Sequence, residues 1–518
     1  MAGGLVAAAA IAVFVSAGKT DVIRAQVRDD LPATSNDLRL ARTQNSPLLL
    51  ADPTNPRFVV LAHRLDAPTF GCGLQVSGDG GRTYVPAEPV PELPEGAEKC
   101  YSPEVAFDGN GTLYYLFVGL HGRGNTPMGI FLTTSSDRAR TFTKPIKVLD
   151  AGNYQTRMVI DPTVDDQGRI HLVWLHTTAD PPTGGLPPPP NPILTAYSDD
   201  GGKTFSEPLE ITDPERPRAV APAVALGADG ALHVVYYDLQ GDARDYQGLR
   251  GPTWTGTWSV VVKSSSDRRR RFSPAVVVSD DVVPPERVLL IYTMPPPAIA
   301  ADEDDLYVAW HDARNDDWDV FLSRSSDAGQ SWSAPTRVND DEIRNGRHQY
   351  LPDLSVAPDG RVDVIFYDRR RDPENVRNDV YYAYSDDGGR TFSENLRLTS
   401  ESSDSRTGQR YLVPSGQGRG DVGSRISVLA HEDAAVAAWG DSRNVLLAPY
   451  SDVFATEIVL SRERGAGGAW SKVGVLAAAT AVCAATVLVW RRRRLSRSRS
   501  AGESTEVPRD TAELGTQE

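Results

Sequence analysis

The sequence is poor in cysteine, methionine and lysine, and it lacks the short motifs that mark several large enzyme classes. Its 518 residues include 3 Cys and 4 Met, and seven of its 54 basic residues are lysines. No HExxH, GxSxG, CxxC or phosphate-loop motif occurs, which argues against a zinc protease, an α/β-hydrolase, a zinc or redox site and a P-loop enzyme. The formal net charge is −15, so nucleic acid is not expected as a partner. We predict no cofactor and no metal.

The N-terminal residues have the pattern of a secretory signal peptide, which we predict over residues 1–25. Residues 5–17 form an apolar run, and the small residues Val15, Ser16 and Ala17 offer a cleavage point. No Lys or Arg precedes the run, so an uncleaved N-terminal anchor is the alternative.

A second apolar run near the C-terminus predicts one transmembrane helix. Residues 473–490 are 18 uncharged residues, close to the minimum length for a spanning helix. Four arginines follow at residues 491–494, and such a flank stays on the cytoplasmic side. The sequence therefore predicts a single-pass protein of the cell membrane with most of the chain extracellular, a stalk over residues 461–472 and a disordered cytoplasmic tail over residues 491–518.

Cys72 and Cys100 are the only cysteines outside the predicted membrane helix, which contains Cys483. Disulfides persist in an extracellular setting, so we predict that Cys72 and Cys100 are bonded, with two buried free thiols as the alternative. The two residues are 28 positions apart, and closing a loop of that length stabilises a fold by about 3–4 kcal/mol.

Six copies of one short motif divide the chain at nearly regular intervals. The common form is S-x-D-x-G-x-T/S-aromatic, and successive copies are separated by 58, 63, 67, 60 and 60 residues. The second and fourth copies lose the glycine, and the fourth also loses the threonine. The copies are SGDGGRTY (77–84), SSDRARTF (135–142), YSDDGGKTF (197–205), SSDRRRRF (265–272), SSDAGQSW (325–332) and YSDDGGRTF (384–392).

The chemistry of this motif is that of a hairpin turn. Its aspartate can accept hydrogen bonds from turn amides, its glycine suits a positive φ, and its closing aromatic side chain can fill the gap between neighbouring units. A feature that is repeated in every unit belongs to the scaffold. The aspartates with this predicted structural role are Asp79, Asp137, Asp200, Asp267, Asp327 and Asp387.

Each motif lies among segments that are typical of four short antiparallel strands, as in residues 350–398. Four-stranded units that recur every 58–67 residues predict an all-β fold, a β-propeller of four-stranded antiparallel blades. Six units carry the motif, and three further strands are predicted over residues 425–460. We expect the segment 37–43 to supply a fourth strand there, which gives seven blades over residues 37–460. Six blades with a trailing cap is the alternative.

The repeated turn is the Asp box, and residues 37–460 resemble the sialidase-like (neuraminidase) superfamily of Asp-box, or BNR-repeat, β-propellers. The Asp box is specific for this fold and not for an activity, because non-enzymatic propellers also carry it. The resemblance implies one of three functions: a propeller that binds glycans or another surface ligand, an active exo-glycosidase that removes terminal sialic-acid-like residues, or a protein–protein scaffold on the cell envelope. We favour the binding protein, and the oligomeric state is left open.

The face opposite the Asp boxes is the expected ligand face, because it carries the loops between second and third strands and the links between blades. Trp254 and Trp258 lie in a long loop there, where aromatic rings either stack on sugars or roof the fold. Pairs such as Asp312/Arg314 recur at the ends of second strands, which favours structural ion pairs. Non-repeating residues are the better ligand-binding candidates: Arg157, Arg218, Arg287, Arg347, His348 and Tyr350.

The resemblance implies a stricter residue set for catalysis: three Arg around a carboxylate, a Tyr nucleophile paired with a Glu, and an Asp acid/base. The first Arg is expected in a Phe/Tyr-Arg-Ile-Pro motif, which the corresponding segment NSPLLLADPTN lacks. Tyr450, in the segment APYSDV, is the candidate catalytic nucleophile, although the same segment matches the start of a third strand. The acidic clusters at 302–305 and 316–319 match no calcium-binding loop.

Overall fold

Every regular element in the described part of the chain is a β-strand. The computed structural model describes residues 22–34, 43–67, 69–123, 125–150, 156–161, 168–176, 192–242, 254–265, 271–284, 296–303, 305–405, 409–410, 420–421, 423–443 and 451–463. These residues contain 32 strands and no helix. Ala25–Leu460 form one compact unit. The second unit, Met1–Arg24 with Ser461–Glu518, is described only at residues 22–24 and 461–463.

The strands form seven antiparallel blades, numbered in chain order. Two strands precede the first blade: β1 (Val22–Val27) and β2 (Leu31–Pro32). Blade 1 contains β3 (Thr43–Asp52), β4 (Asn55–Ala67), β5 (Gly71–Ser77) and β6 (Val85–Pro86). Blade 2 contains β7 (Lys99–Phe107), β8 (Leu113–His121), β9 (Thr126–Ser135) and β10 (Ile146–Leu149). Blade 3 contains β11 (Thr156–Asp161), β12 (Arg169–Leu175), β13 (Ile193–Ser198) and β14 (Leu209–Glu210).

The remaining blades follow the same order of strands. Blade 4 contains β15 (Ala219–Leu226), β16 (Leu232–Asp238), β17 (Trp258–Ser264) and β18 (Val276–Val282). Blade 5 contains β19 (Ala298–Asp302), β20 (Asp305–Asp312), β21 (Asp319–Ser325) and β22 (Thr336–Arg337). Blade 6 contains β23 (Gln349–Val356), β24 (Val362–Asp368), β25 (Arg377–Ser385), β26 (Leu396–Arg397) and β27 (Ser403–Asp404). A short hairpin of β28 (Gln409–Arg410) and β29 (Gly420–Asp421) leads to blade 7, which contains β30 (Ser427–Ala430), β31 (Ala434–Asp441) and β32 (Asp452–Glu463).

The blades close into a seven-membered ring. The first strand of each blade contacts the first strand of the next, in the order β3, β7, β11, β15, β19, β23, β30 and back to β3. Second strands are buried at nearly every position, as in β24 (VDVIFYD), because another blade packs against each face of the sheet. Such strands are apolar at most positions and do not alternate strictly between apolar and polar residues. The predicted seven-bladed propeller is confirmed.

The strand that completes blade 7 comes from a different segment than the sequence predicts. β1 pairs with β32 as the outermost strand, and β2 pairs with β32 as well. The prediction that residues 37–43 close the ring is therefore wrong: residues 35–42 lie outside the described residues, and Thr43 already begins β3. The ring starts at Val22, inside the segment predicted as a signal peptide. The short segment VIRAQV, which contains Arg24 and Gln26 among its six residues, is a weak strand signal on its own.

No helix within the described ranges is long and apolar enough to cross a membrane. The predicted membrane helix over residues 473–490, its stalk and its tail lie outside the described residues, so they remain predictions.

Five of the six Asp boxes are described, and each has the predicted turn chemistry. In the first, Asp79 Oδ1 accepts from the Thr83 N–H at 3.0 Å and Asp79 Oδ2 from the Thr83 hydroxyl at 2.7 Å, while the Gly81 N–H donates to Ser77 Oγ. The same aspartate bonds recur at Asp137, Asp200, Asp327 and Asp387. These bonds stabilise the charged form, so they lower the pKa of Asp137 and of Asp200 to about 2. Asp267 lies outside the described residues.

The closing aromatic side chain of each box packs between two blades, as predicted. Tyr84 of blade 1 packs against a core cluster that includes Val59 of its own blade and Val436 of blade 7. The other five occupy the equivalent clusters, each between their own blade and the preceding one: Phe142, Phe205, Phe272, Trp332 and Phe392. The motif therefore fixes the spacing of neighbouring blades.

Cys72 and Cys100 form the predicted disulfide, with their Cα atoms 5.8 Å apart. Cys72 lies at the start of β5 and Cys100 at the start of β7. The bond thus ties blade 1 to blade 2 on the face opposite the Asp boxes.

Candidate functional site on the upper face

The ends of the inner strands on the upper face, which is the face opposite the Asp boxes, carry a repeated bulge. In β3, β7, β15 and β23 the ladder skips a residue with positive φ and the proline after it, because proline has no N–H to donate. The four bulges are Ser46-Pro47, Ser102-Pro103, Ala221-Pro222 and Leu351-Pro352, with φ of 54, 51, 57 and 54° at the first residue. The residue after each proline is Leu48, Glu104, Ala223 or Asp353.

Two of these residues belong to a charged group that we call the central cluster: Glu104, Arg157, Asp353 and Arg425. Glu104 of blade 2 accepts from Arg157 Nη1 of blade 3 at 3.3 Å and from Arg425 Nη1 at the start of blade 7. Arg425 also donates to the carbonyl of Pro103 at 2.7 Å and to that of Ser46 at 3.0 Å. Groups from four blades meet here, which places the cluster where the inner strands converge around the axis.

The central cluster is only partly shielded from solvent. The Glu104 side chain is 4% exposed, whereas Arg157 and Arg425 keep 16% and 15% of their side-chain surface. Burial lowers the pKa of Arg157, and the nearby Arg425 charge lowers it further while Glu104 raises it. Two guanidinium groups thus share the carboxylate of Glu104.

Asp353 borders the same cluster. Burial raises its pKa to about 7, against the opposing influence of two backbone N–H groups and of Arg425. One of those bonds is from the Val428 N–H of blade 7 at 2.8 Å. The Asp353 carboxyl group is therefore harder to ionise than an ordinary aspartate, although Arg425 favours its charged form.

A second group on the upper face, which we call the aromatic nest, consists of His311, Trp318, His348 and Tyr350. The imidazole of His348 stacks on the Trp318 indole with ring centroids 4.4 Å apart and an interplanar angle of 19°. His311 lies 5.9 Å from Trp318, and Tyr350 meets it edge-on at 5.7 Å. His311 and Trp318 come from blade 5, and Tyr350 begins blade 6, so the nest lies between these blades.

Both histidines of the nest are neutral. His311 Nδ1 accepts from the Leu351 N–H and His348 Nδ1 from the Trp318 N–H, so the proton of each neutral ring belongs on Nε2. Burial lowers the pKa of each to about 4. His348 adds to the shift of His311, and Arg369 adds to that of His348. The nest therefore presents uncharged N–H donors above pH 5.

The described part of the chain brings some predicted site residues together and separates others. Arg157 lies in the central cluster, and His348 lies in the nest with Arg347 directly before it. Tyr350 is fully buried. Its hydroxyl donates to Asn378 Oδ1 at 2.8 Å and accepts from Arg369 Nη2 at 3.2 Å, and these bonds fix the position of its ring within the nest. Arg287 and Tyr450 lie outside the described residues.

The remaining candidates lie in blade 4. Arg218 precedes β15 and is 7% exposed. Trp258 is 1% exposed and its Nε1 donates to Asp242 at 3.0 Å; it packs in the core and is not accessible to a ligand. Trp254 is partly exposed, and its ring lies within 3.1 Å of where a Cβ would be at Gly241 or Gly256.

The recurring Asp-x-Arg pairs are structural ion pairs. Asp312, Asp368 and Asp441 each bind the arginine two residues later. Each arginine also stacks on an aromatic ring of the third strand in its own blade, at 4.3 to 4.5 Å. The pairs thus fasten the second strand to the third strand, and they are separate from both groups described above.

Sequence reasoning missed Glu104, Asp353 and Arg425, as well as His311 and Trp318. A signal existed for the first two, because YSPE (101–104) and YLPD (350–353) repeat the same bulge sequence with an acid at the fourth position. Arg425 follows a long link and has no repeated context. Among the described residues, no group of three His, Cys, Asp or Glu side chains is placed to hold a metal ion.

Comparison with known proteins agrees with the repeats. Residues 221–399 match a family described as "BNR repeat-containing family member". The chain is a seven-bladed β-propeller, and about a third of it is similar to this family. No curated protein matches the sequence of this propeller.

Solved structures similar to this propeller include a sialidase, an endosialidase and an arabinanase. The Hadza microbial sialidase Hz136 is 14% identical, with a TM-score of 0.42 over 79% of this chain and 74% of that one. The phage phi92 endosialidase is 10% identical, with a TM-score of 0.45 over 84% and 70%. The Penicillium chrysogenum alpha-L-arabinanase is 14% identical, with a TM-score of 0.39 over 70% and 93%. The assignment of the fold rests on the repeats and the closed ring of this chain itself.

Proposed function

We propose that this propeller binds a glycan on its upper face, with the central cluster contacting an acidic sugar residue. The observation that carries the proposal is the convergence of Arg157 and Arg425, from blades 3 and 7, on the single carboxylate of Glu104. Arginine forks match the geometry of a carboxylate. Both guanidinium groups keep part of their surface exposed beside Glu104, so a ligand carboxylate can reach them.

The surroundings of the central cluster favour a specific site over a general attraction of anions. The chain as a whole carries a net charge of −15, so it repels polyanions except at such a local site. The partly exposed guanidinium groups lie in a surface of low dielectric, where a charge-assisted hydrogen bond is stronger than in water. Binding should weaken with rising salt, because the pairing is electrostatic.

Binding is better supported than hydrolysis. An active exo-glycosidase of sialidase type is expected to have three arginines around the ligand carboxylate. Within the described ranges, two arginines meet at the central cluster. The candidate nucleophile of such an enzyme, Tyr450, and the candidate Arg287 lie outside those ranges. An exo-glycosidase of sialidase type and an envelope scaffold therefore remain the alternative outcomes of the test.

The test uses the full-length protein in detergent micelles on a glycan array, followed by titration calorimetry with sialyllactose. We expect the wild type to bind acidic glycans. The affinity should fall at least tenfold in Arg157→Ala and by less in Arg157→Lys. An aryl sialoside assay from pH 4 to 8 runs in parallel. Turnover that is lost in Tyr450→Phe would establish the hydrolase instead. A folded protein that binds no glycan and shows no turnover would leave the envelope scaffold as the remaining candidate function.

We also propose that the propeller is displayed outside the cell on a single C-terminal membrane helix. The support is the apolar run 473–490 with arginines at 491–494, since such a flank orients a helix with its C-terminal side in the cytoplasm. Intact cells treated with an external protease should release or degrade the propeller, while an epitope at the C-terminus stays protected. Protection of both would contradict the proposed orientation.

A further inference from the structure

A groove of about 720 Å³ opens on the Asp-box face between blade 1 and blade 2. Blade 1 lines it with apolar side chains from the ends of β4 and β5 and from the segment that begins at β6, namely Phe58, Val76, Val85 and Ala87. Blade 2 lines it with three consecutive residues of the second Asp box, namely Arg138, Ala139 and Arg140. Val85 is 60% exposed, so the groove has an apolar rim as well as an apolar floor.

The groove exists because blade 1 lacks a long side chain that fills the same place in blade 5. Val76 and Arg324 hold the same position, since each directly precedes the first serine of its Asp box. Arg324 packs against the box of blade 6, where a Cβ at Gly388 would lie 2.7 Å from its guanidinium group. The residue of blade 2 that corresponds to Gly388 is Arg138, with φ of 61°. The short Val76 side chain leaves room for Arg138 and for the groove beside it.

Two arginines give the groove its positive charge. The Arg140 side chain is exposed and has no partner among the described residues. Arg138 is 50% exposed and lies 3.5 Å from Asp52, which offsets part of its charge. Glu88 is the acid in the lining and is exposed. A free guanidinium group beside an apolar groove fits a ligand that has both an anionic group and an apolar body.

The chain leaves the propeller on the same face as the groove. Leu460, near the end of β32, donates its N–H to the carbonyl of Asp433 in the turn between β30 and β31, and the turns between first and second strands lie on the Asp-box face. The twelve residues 461–472 precede the predicted membrane helix, and a chain of that length spans at most about 43 Å. In the membrane display proposed above, the Asp-box face is therefore turned towards the membrane. Blade 7 adjoins blade 1 in the ring, so the groove lies on the side of the tether.

We propose that the groove between blades 1 and 2 binds an anionic phospholipid of the membrane that carries the protein. The lipid phosphate accepts hydrogen bonds from Arg140 and Arg138, and an acyl chain lies along the apolar lining. The proposal rests on the membrane display proposed above for the source of the lipid. Turns nearer the axis on this face carry exposed acids such as Asp229, Glu303 and Asp359, so the contact is confined to the edge of the ring and does not extend over the whole face.

The test uses the full-length protein in phosphatidylcholine nanodiscs that contain a small fraction of phosphatidylglycerol with a diazirine on its acyl chain. Illumination attaches the lipid to the residues that it contacts, and mass spectrometry of peptides identifies them. Phosphatidylcholine with the same diazirine is the neutral probe. We expect the phosphatidylglycerol probe to label peptides that contain residues 76–88 and 138–140, and the neutral probe to label them at least fivefold less.

Arg140→Gln should reduce this labelling about tenfold, because it removes a charge-assisted hydrogen bond. Arg390→Gln is the matched control, since Arg390 is exposed at the same position of the blade 6 box but adjoins the space that Arg324 fills. Val85→Ser should reduce labelling about threefold by removing apolar contact. Ile343→Ser is its control, because Ile343 is 53% exposed and lies on the link between blades 5 and 6. Both controls should label as wild type does, and thermal unfolding verifies that each variant is folded.

Three results would overturn the lipid site: equal labelling of the groove by the two probes, unchanged labelling in Arg140→Gln, and an equal loss in Arg390→Gln. If the protein does not insert into nanodiscs, the proposed membrane helix fails separately, and the same two probes in micelles of a neutral detergent then decide. Labelling of the groove that Arg140→Gln abolishes keeps the site, and absence of labelling removes it.

Discussion

At the scale of single residues, the Asp-box glycines show how closely the blades approach one another. Gly202 of blade 3 has φ of 87°, and a Cβ built there would lie 2.4 Å from Leu132 Cδ2 of blade 2. Ala139 occupies the same motif position in blade 2 and adopts φ of 61°. One box has therefore accepted a side chain in the left-handed region, while another has no room for it.

This difference predicts opposite outcomes for two matched substitutions. Gly202→Ala should lower the free energy of unfolding by about 1–3 kcal/mol, because the methyl group overlaps Leu132 in a left-handed backbone. Ala139→Gly should change it by less than about 1 kcal/mol, since relief of strain is offset by greater freedom in the unfolded chain. Urea unfolding of the two variants measures both. Equal effects would mean that the space between the blades is not what excludes the side chain.

Arg361 is the clearest case of a buried charge that joins two blades. Its side chain is 1% exposed and binds Asp363 through Nε and Nη2 at 2.7 and 2.8 Å. It also donates to the carbonyls of His431 and Glu432 of blade 7 at 2.7 and 2.9 Å. The ion pair therefore connects the turn of blade 6 with that of blade 7.

We predict that Arg361→Met destabilises the protein by about 3–5 kcal/mol, because Asp363 would be left buried without its cation. The control is Arg344→Met. Arg344 pairs with Asp316 at 3.1 Å, and the two side chains are 68% and 80% exposed, so its loss should cost less than about 1 kcal/mol. Thermal unfolding followed by circular dichroism compares the two, and a similar loss in both variants would refute the assigned role.

At the scale of elements, the sequence predicts what is local and repeated. The Asp box is held by bonds within five residues, such as those from Thr83 to Asp79, and so its residues alone specify it. The central cluster is different: Arg425 and Glu104 are 321 positions apart and meet only when the ring closes. The closing strand β1 has no Asp box or apolar run, and its partner β32 lies at the other end of the propeller sequence.

The closing strand gives a prediction about the N-terminus. Deletion of residues 1–34 removes β1 and β2 and leaves the edge of β32 unpaired, and an exposed edge strand promotes aggregation. We expect this variant to unfold at a clearly lower temperature and to aggregate. Deletion of residues 1–17, which ends at the predicted cleavage point and keeps both strands, is the control and should match wild type. Equal behaviour of the two deletions would show that β1 does not hold the ring closed.

At the scale of the whole molecule, two sets of titrating groups have opposite effects on how stability depends on pH. Burial lowers the pKa of His233, His311 and His348 to about 4. The unfolded chain then binds more protons between pH 4 and 6.5, so these groups make stability rise with pH. Burial raises the pKa of Asp353 to about 7 and that of Asp368 to about 6. The folded chain then binds more protons above pH 4, so these groups make stability fall as pH rises. We expect a nearly flat stability of the wild type between pH 4 and 7.

Asp353→Asn should change this pH dependence, because it removes one of the groups that make stability fall as pH rises. Asn resembles the protonated carboxyl group, so the variant should match wild type only below about pH 4, where Asp353 holds its proton in both the folded and the unfolded chain. At pH 8 wild type carries the buried charge and the variant does not, so the variant should be more stable by roughly 2 kcal/mol after allowance for partial exposure. Unfolding temperatures measured from pH 3 to 8 should therefore diverge from about pH 4 upward, and the difference should level off above about pH 7. Glu342→Gln, at an exposed position, is the control for the loss of one carboxylate.

The contradicting outcome is a difference between Asp353→Asn and wild type that is the same at pH 5 and pH 8. It would show that the carboxyl group is already ionised in the folded protein, and that Arg425 and the Val428 N–H together outweigh its burial.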